Sequence, residues 1–199
     1  MNQSDELRRV CVYCASSELC DKSFKSEAYR LGELLAENGT RIVYGGGRCG
    51  LMGQLASGAL ARGGHVIGIM PRFMQELEWG HPGLTELEIV EDMRERKHRM
   101  LTGSDAAIAL PGGCGTLEEL LEAITLKRLG IYLRPIIIVN MRGYFDPLLE
   151  MLDRAAQERF MDVRHLEMWR VAKNAEQALD AIKTSSAWSA EARQYAVPT

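Results

Sequence analysis

The chain has 199 residues, 46% hydrophobic and 26% charged, which excludes wholesale disorder, collagen-like repeats and coiled coil and predicts one domain around one core. Its 24 Lys and Arg against 27 Asp and Glu leave a net charge of −3, so it has no general attraction for nucleic acid or an anionic membrane. No apolar run approaches the roughly 18 to 20 residues of a membrane span, and Met1 to Glu6 is polar and acidic rather than signal-like, so a cytoplasmic location is expected.

Apolar β-rich runs alternate with helical patterns. Val10 to Tyr13 reads as a first strand, followed by a helix over Phe24 to Glu37 that stops at Asn38-Gly39. Ile42 to Tyr44 is a second strand, Leu51 to Ala61 a helix of small residues, and His65 to Met70 a third strand. Leu87 to Val90 and the charged helix Asp92 to Leu101 come next. Ala106 to Leu110 is continuously apolar, as a strand buried on both faces should be. The helix Leu117 to Leu129, the β-branched strand Pro135 to Val139, a helix Pro147 to Glu158, a short strand Arg170 to Val171 and a helix Ala175 to Ile182 complete the series. This alternation predicts an α/β fold: one doubly wound, mostly parallel, Rossmann-like sheet over residues 1–184, with Ser185 to Thr199 as a loosely attached tail. Such sheets bind ligands at the carboxyl ends of their strands.

Three turns fall on that edge. The first offers the hydroxyls of Ser16 and Ser17, which are otherwise ordinary turn residues. The second, Gly45-Gly46-Gly47-Arg48-Cys49-Gly50, satisfies G-x-G-x-x-G between a strand and a helix, where glycines let the backbone approach a phosphate. A dinucleotide site needs an acid about 20 residues further on. Ile69-Met70-Pro71-Arg72 supplies none, so a mononucleotide phosphate or ribose contact is the better reading. The third, Pro111-Gly112-Gly113-Cys114-Gly115-Thr116-Leu117-Glu118-Glu119, runs from a buried strand into a helix. Backbone N–H groups, the Thr116 hydroxyl and the helix dipole converge there on an anion, and a phosphate is the expected one. The competing account of its end is a capping box, in which Glu119 only returns a bond to the Thr116 N–H.

A fourth element, Met93-Arg94-Glu95-Arg96-Lys97-His98-Arg99, carries four cations in six residues. It reads either as a solvated face with Glu95 paired locally or as a helix that sends a cation, Arg96 or Lys97, toward the anion loop. The four histidines and five cysteines show no metal-ligand spacing, and five is an odd number suited to reduced thiols. No metal is expected.

Together, Tyr44-Gly-Gly-Gly-Arg-Cys-Gly-Leu-Met-Gly53, Met93-x-Glu-Arg-Lys97 and Pro111-Gly-Gly-Cys-Gly-Thr-Leu-Glu-Glu119 resemble the Lonely Guy family over residues 8 to 183, a family long mislabelled as lysine decarboxylases. The resemblance implies a Rossmann-like homodimer that hydrolyses the N-glycosidic bond of nucleoside 5′-monophosphates, such as cytokinin riboside 5′-monophosphates and AMP, to free base and ribose 5-phosphate without a cofactor. It makes Arg96 and Glu119 the catalytic pair and places Lys97, Gly112, Gly113, Cys114, Gly115, Thr116 and Glu118 in the nucleotide site. Glu78 and Thr125 match family substrate contacts by spacing from Arg96, although Glu78-Trp79-Gly80-His81-Pro82 departs from the usual surroundings. Cys114 stands where an aromatic residue is common.

The residue types suit that chemistry, since a carboxylate beside an oxocarbenium-like centre stabilises positive charge and can activate water. A helix start favours an ionised Glu119. The alternative is a carrier that uses the same cradle without chemistry, which has no need for both Arg96 and Glu119. Lysine decarboxylation requires an electron sink such as pyridoxal phosphate, for which Lys97 in an arginine-rich run is poorly placed.

Overall fold

The computed structural model describes residues 7–77 and 79–196. Seven strands form one sheet: β1 (Arg9–Tyr13), β2 (Arg41–Tyr44), β3 (Val66–Pro71), β4 (Glu86–Val90), β5 (Ala106–Ala109), β6 (Ile136–Val139) and β7 (Arg170–Ala172). Their spatial order is β4-β3-β2-β1-β5-β6-β7, and every neighbouring pair is parallel. The order reverses between β1 and β5, where Val10 pairs with Ala106 and Tyr13 with Ala109. The loops leaving these two strands diverge and leave a crevice at their carboxyl ends.

The central strands are apolar on both sides because helices cover both faces. On one face lie α1 (Lys22–Glu37), α2 (Gly50–Ala61) and α7 (Ala175–Lys183), which pack Leu31, Leu35, Leu55 and Leu179 onto Val10, Ile42, Tyr44 and Ile108. On the other lie α4 (Met93–Leu101), α5 (Cys114–Arg128) and α6 (Asp146–Gln157), with Met100, Leu120 and Ile124 packed onto Cys11, Val43 and Ile138. A one-turn helix, α3 (Arg72–Glu76), absent from the sequence reading, follows β3 directly. Side-chain caps start α1, α4 and α7: Asp21 accepts from Ser23 N–H, Asp92 from Glu95 N–H and Asn174 from Gln177 N–H.

The segment expected as a loosely attached tail is packed onto the domain as far as residue 196. Trp188 donates its indole N–H to the Lys127 carbonyl at 3.0 Å, and Ala192 and Ala196 are buried. Tyr195 stacks on the buried ring of His165, and the Arg164 guanidinium lies 3.7 Å from the centre of the Tyr195 ring. Two aromatics and small residues suffice for this docking, and no period of 2 or 3.6 announces it.

Candidate functional site

Arg96 and Glu119 lie far apart in the chain but meet in the fold. Both are buried, at 5% exposure each, and Arg96 Nη1 donates to Glu119 Oε1 at 3.0 Å. Arg96 Nε donates to the Ile69 carbonyl within β3, so the guanidinium is tied to the sheet as well as to α5. The local cause is Gly45, whose absent side chain leaves the space: a Cβ there would stand 1.9 Å from Arg96 Nη2. Burying an ion pair is costly unless both partners keep good geometry, and the Ile69 carbonyl satisfies a guanidinium donor the carboxylate does not reach.

The structure decides between the two readings of Thr116 and Glu119. Helix α5 begins at Cys114 with Gly113 as its N-cap, so Thr116 lies inside the first turn and Glu119 in the second. The capping box does not form: Thr116 is buried against Gly112 and Glu119 turns to Arg96. The expected ionisation of Glu119 is corrected too. Burial pushes its carboxyl up to about 7 against the lowering pull of Arg96, because loss of water outweighs one cation at this depth.

Gly113, Cys114 and Gly115 are exposed at the start of α5, and no side chain caps that end. Gly112 has the tightest surroundings of the loop, with a Cβ position 2.1 Å from Thr116 Oγ1. Lys97, on the neighbouring face of α4, makes ion pairs with Glu118 and, at 3.0 Å, with Glu122, which hold its ammonium charged and its pKa above the usual lysine value. Glu122 was not singled out from the sequence. Its signal is the helical spacing i, i+4 from Glu118, which puts both carboxylates on one face. Thr125 continues that face, exposed, and donates its hydroxyl to the Leu121 carbonyl. Glu78 lies outside the described residues.

The second glycine turn has protein partners of its own. The start of α2 is already occupied: Glu18 Oε1 accepts from Gly50 N–H at 2.8 Å, which lowers the Glu18 pKa. Gly46 accepts from His81 N–H, Arg48 N–H donates to the Trp79 carbonyl and Gly47 bridges Gly80, so residues 46–48 are joined to the segment after α3. Ser16 is exposed beside this end of α2, its backbone within 3 Å of the Cβ position of Gly50. The loop carrying it is tied to the third turn by Ala15 N–H donating to the Pro111 carbonyl. Among the described residues no group of three or more His, Cys, Asp or Glu is placed to hold a metal ion, and no helix is long and apolar enough to cross a membrane.

Residues 52–182 match the family model described as "Possible lysine decarboxylase". Two Arabidopsis thaliana proteins named cytokinin riboside 5′-monophosphate phosphoribohydrolase are close in sequence. LOG1 is 42% identical over 168 residues, covering 83% of this chain and 79% of its own. LOG3 is 43% identical over 159 residues, covering 80% and 74%. The molybdenum cofactor carrier protein of Chlamydomonas reinhardtii superposes with a TM-score of 0.69 over 88% of this chain and 96% of that one, at 19% identity, a likeness of fold.

Proposed function

The chain belongs to the Lonely Guy family of phosphoribohydrolases, and from that premise we propose that it hydrolyses the N-glycosidic bond of nucleoside 5′-monophosphates, cytokinin riboside 5′-monophosphate and AMP among them. The observation that carries the site assignment is the buried Arg96–Glu119 pair, whose carboxylate stands on the helix that the uncapped glycine loop opens. From Cys114 to Glu119 the helix rises about 7.5 Å at 1.5 Å per residue, a reach suited to a ribose 5-phosphate with its phosphate at the loop and its anomeric carbon near the carboxylate.

In this reading the phosphate binds the N–H groups of Gly113, Cys114 and Gly115 and the hydroxyl of Thr116, with Gly112 setting the turn. Binding energy from that remote group fixes the sugar for attack. Glu119 in its carboxylate form faces the oxocarbenium-like centre and takes a proton from the attacking water, whose oxygen bonds to the anomeric carbon. The glycosidic electron pair leaves with the base nitrogen, which takes up a proton equivalent to the one Glu119 removed from the water, so that the free base forms and Glu119 returns to its carboxylate. Arg96 fixes Glu119 and supplies positive charge where the departing base gains electrons. Lys97, with Glu118 and Glu122, faces the sugar from the flank, and Ser16, Glu78 and Thr125 complete the substrate contacts. A homodimer in the cytoplasm is part of the same reading.

A carrier of the same fold would also use the glycine loop, but a buried ion pair tied to the sheet brings it no binding advantage. The decarboxylase description fits less well. A lysine that forms a Schiff base must be neutral, whereas Lys97 is held charged by two carboxylates. The test is incubation of purified protein with AMP and an isoprenoid-adenine ribotide, followed by chromatography. Stoichiometric free base and ribose 5-phosphate are expected, and intact nucleotide after prolonged incubation would overturn the reading.

A further inference from the structure

The phosphate loop is oriented from outside itself. Tyr144 donates its phenol to the Gly112 carbonyl at 2.6 Å, across 32 residues of chain. Gly112 and Gly113 have no side chains to fix the peptide between them, and a glycine pair rotates more freely than any other. A trans peptide plane holds its carbonyl and the following N–H antiparallel. Pinning the Gly112 carbonyl toward Tyr144 therefore aims the Gly113 N–H the opposite way. The preceding carbonyl, of Pro111, is pinned likewise by Ala15 N–H at 3.2 Å.

The loop that carries Tyr144 is held by several contacts of its own. Arg142 and Gly143 both adopt left-handed backbone, φ 54° and 71°. For Arg142 that conformation is strained, and the guanidinium is held by Asp21 at 3.2 Å and by the face of Phe24. Asn140 clamps the loop by accepting from Phe145 N–H and donating to Asp146, each at 2.7 Å. The Tyr144 ring sits edge-on to both Phe24 and Phe145, contacts that favour its present orientation although the residue is partly exposed.

We infer that Tyr144 is a positioning residue of the phosphate cradle: its hydroxyl sets the peptide between Gly112 and Gly113 so that the Gly113 N–H faces the phosphate. The inference rests on the phosphate-binding reading of that loop. Tyr144→Phe keeps the ring and both aromatic contacts and removes only the hydroxyl. The expected result is a KM for AMP raised about five- to tenfold, the size of one lost hydrogen bond. A kcat within a factor of two and an unchanged Tm should accompany it. Calorimetric titration of ribose 5-phosphate should show the same weakening. Hydrolysis of the nucleoside without phosphate, if slow in both proteins, should be equally slow. An unchanged KM and ribose 5-phosphate affinity would overturn the assignment, and so would a KM rise that merely tracks a fall in Tm. If the wild type binds ribose 5-phosphate but releases no base, the hydrolase reading fails and the titration still decides the role of Tyr144. If it binds no ribose 5-phosphate, both fail.

Discussion

The two glycine-rich turns, 45–50 and 111–116, follow parallel strands at the same sheet edge and each opens a helix, yet the two helix starts are satisfied in different ways. At α2 the first N–H already bonds the Glu18 carboxylate, and the glycines are spent on close approach. Gly45 makes room for Arg96, and Gly46 and Gly47 bond with the segment after α3, Gly47 bridging Gly80. At α5 the helix start is uncapped and exposed, its peptides aimed by Tyr144 and Ala15 from neighbouring loops. A glycine motif thus states that backbone comes close to something. Whether that something is a protein side chain or a ligand is decided by residues elsewhere in the chain.

The largest test lies where the two turns meet, at the pair that Gly45 accommodates and α5 carries. Glu119→Gln should lower base release by about 10²- to 10⁴-fold, the usual weight of a positioned base, while ribose 5-phosphate affinity stays within a factor of about three. With the wild-type carboxyl at about 7, the carboxylate form grows as pH rises through that value. A kcat profile should therefore climb from pH 5 to a plateau above 8, and the Gln variant should lose this limb. A flat wild-type profile would break the link between Glu119 and catalysis.

Next in size is Gly45→Ala. A Cβ 1.9 Å from Arg96 Nη2 must displace the guanidinium, and a shift near 1 Å in an aligned site costs on the order of 10²-fold in rate. The variant should keep its affinity for ribose 5-phosphate, because the phosphate loop is untouched. Gly113→Ala is the mirror experiment. Nothing stands within 4 Å of that Cβ position, so the fold and Tm should hold. The methyl would crowd the phosphate and weaken nucleotide binding by on the order of tenfold, as for one charge-assisted hydrogen bond. If Gly45→Ala weakened phosphate binding and Gly113→Ala did not, the assignment of the two turns would be reversed.

How much of this was legible follows from the distance over which each feature is determined. The strands β1, β2, β5 and β6 showed as short apolar runs because parallel strands between two helical layers have no polar face. Arg96 and Glu119 could be named from motifs within α4 and α5. The start of α5 was read three residues late, since Thr116 and Glu119 satisfy the spacing of a capping box and only the neighbouring Arg96 and Gly112 decide against it. Glu18, Glu122 and Tyr144 were missed. Glu18 and Tyr144 act across 32 residues through single hydrogen bonds, which leave no local period. The docked segment 185–196 was missed for the same reason, its anchors being Trp188 and Tyr195 against α5 and His165.

The smallest expected effect is the most direct test of what separates the turns. If Glu18 is what closes the start of α2, Glu18→Ala should convert that end into a second, weak anion site. Phosphate titration should then show additional binding at millimolar concentration that the wild type lacks, with AMP hydrolysis at low phosphate unchanged. The stability change carries its own signature. The Gly50 N–H holds the Glu18 pKa below that of an unfolded carboxylate, so its contribution is present above the unfolded value and lost as pH falls through the lowered one. The Tm of the wild type should exceed that of the variant at pH 7, and the gap should close on acidification. A variant that loses Tm without gaining phosphate binding would show that the geometry of Gly45 to Gly50, rather than the carboxylate, keeps anions out.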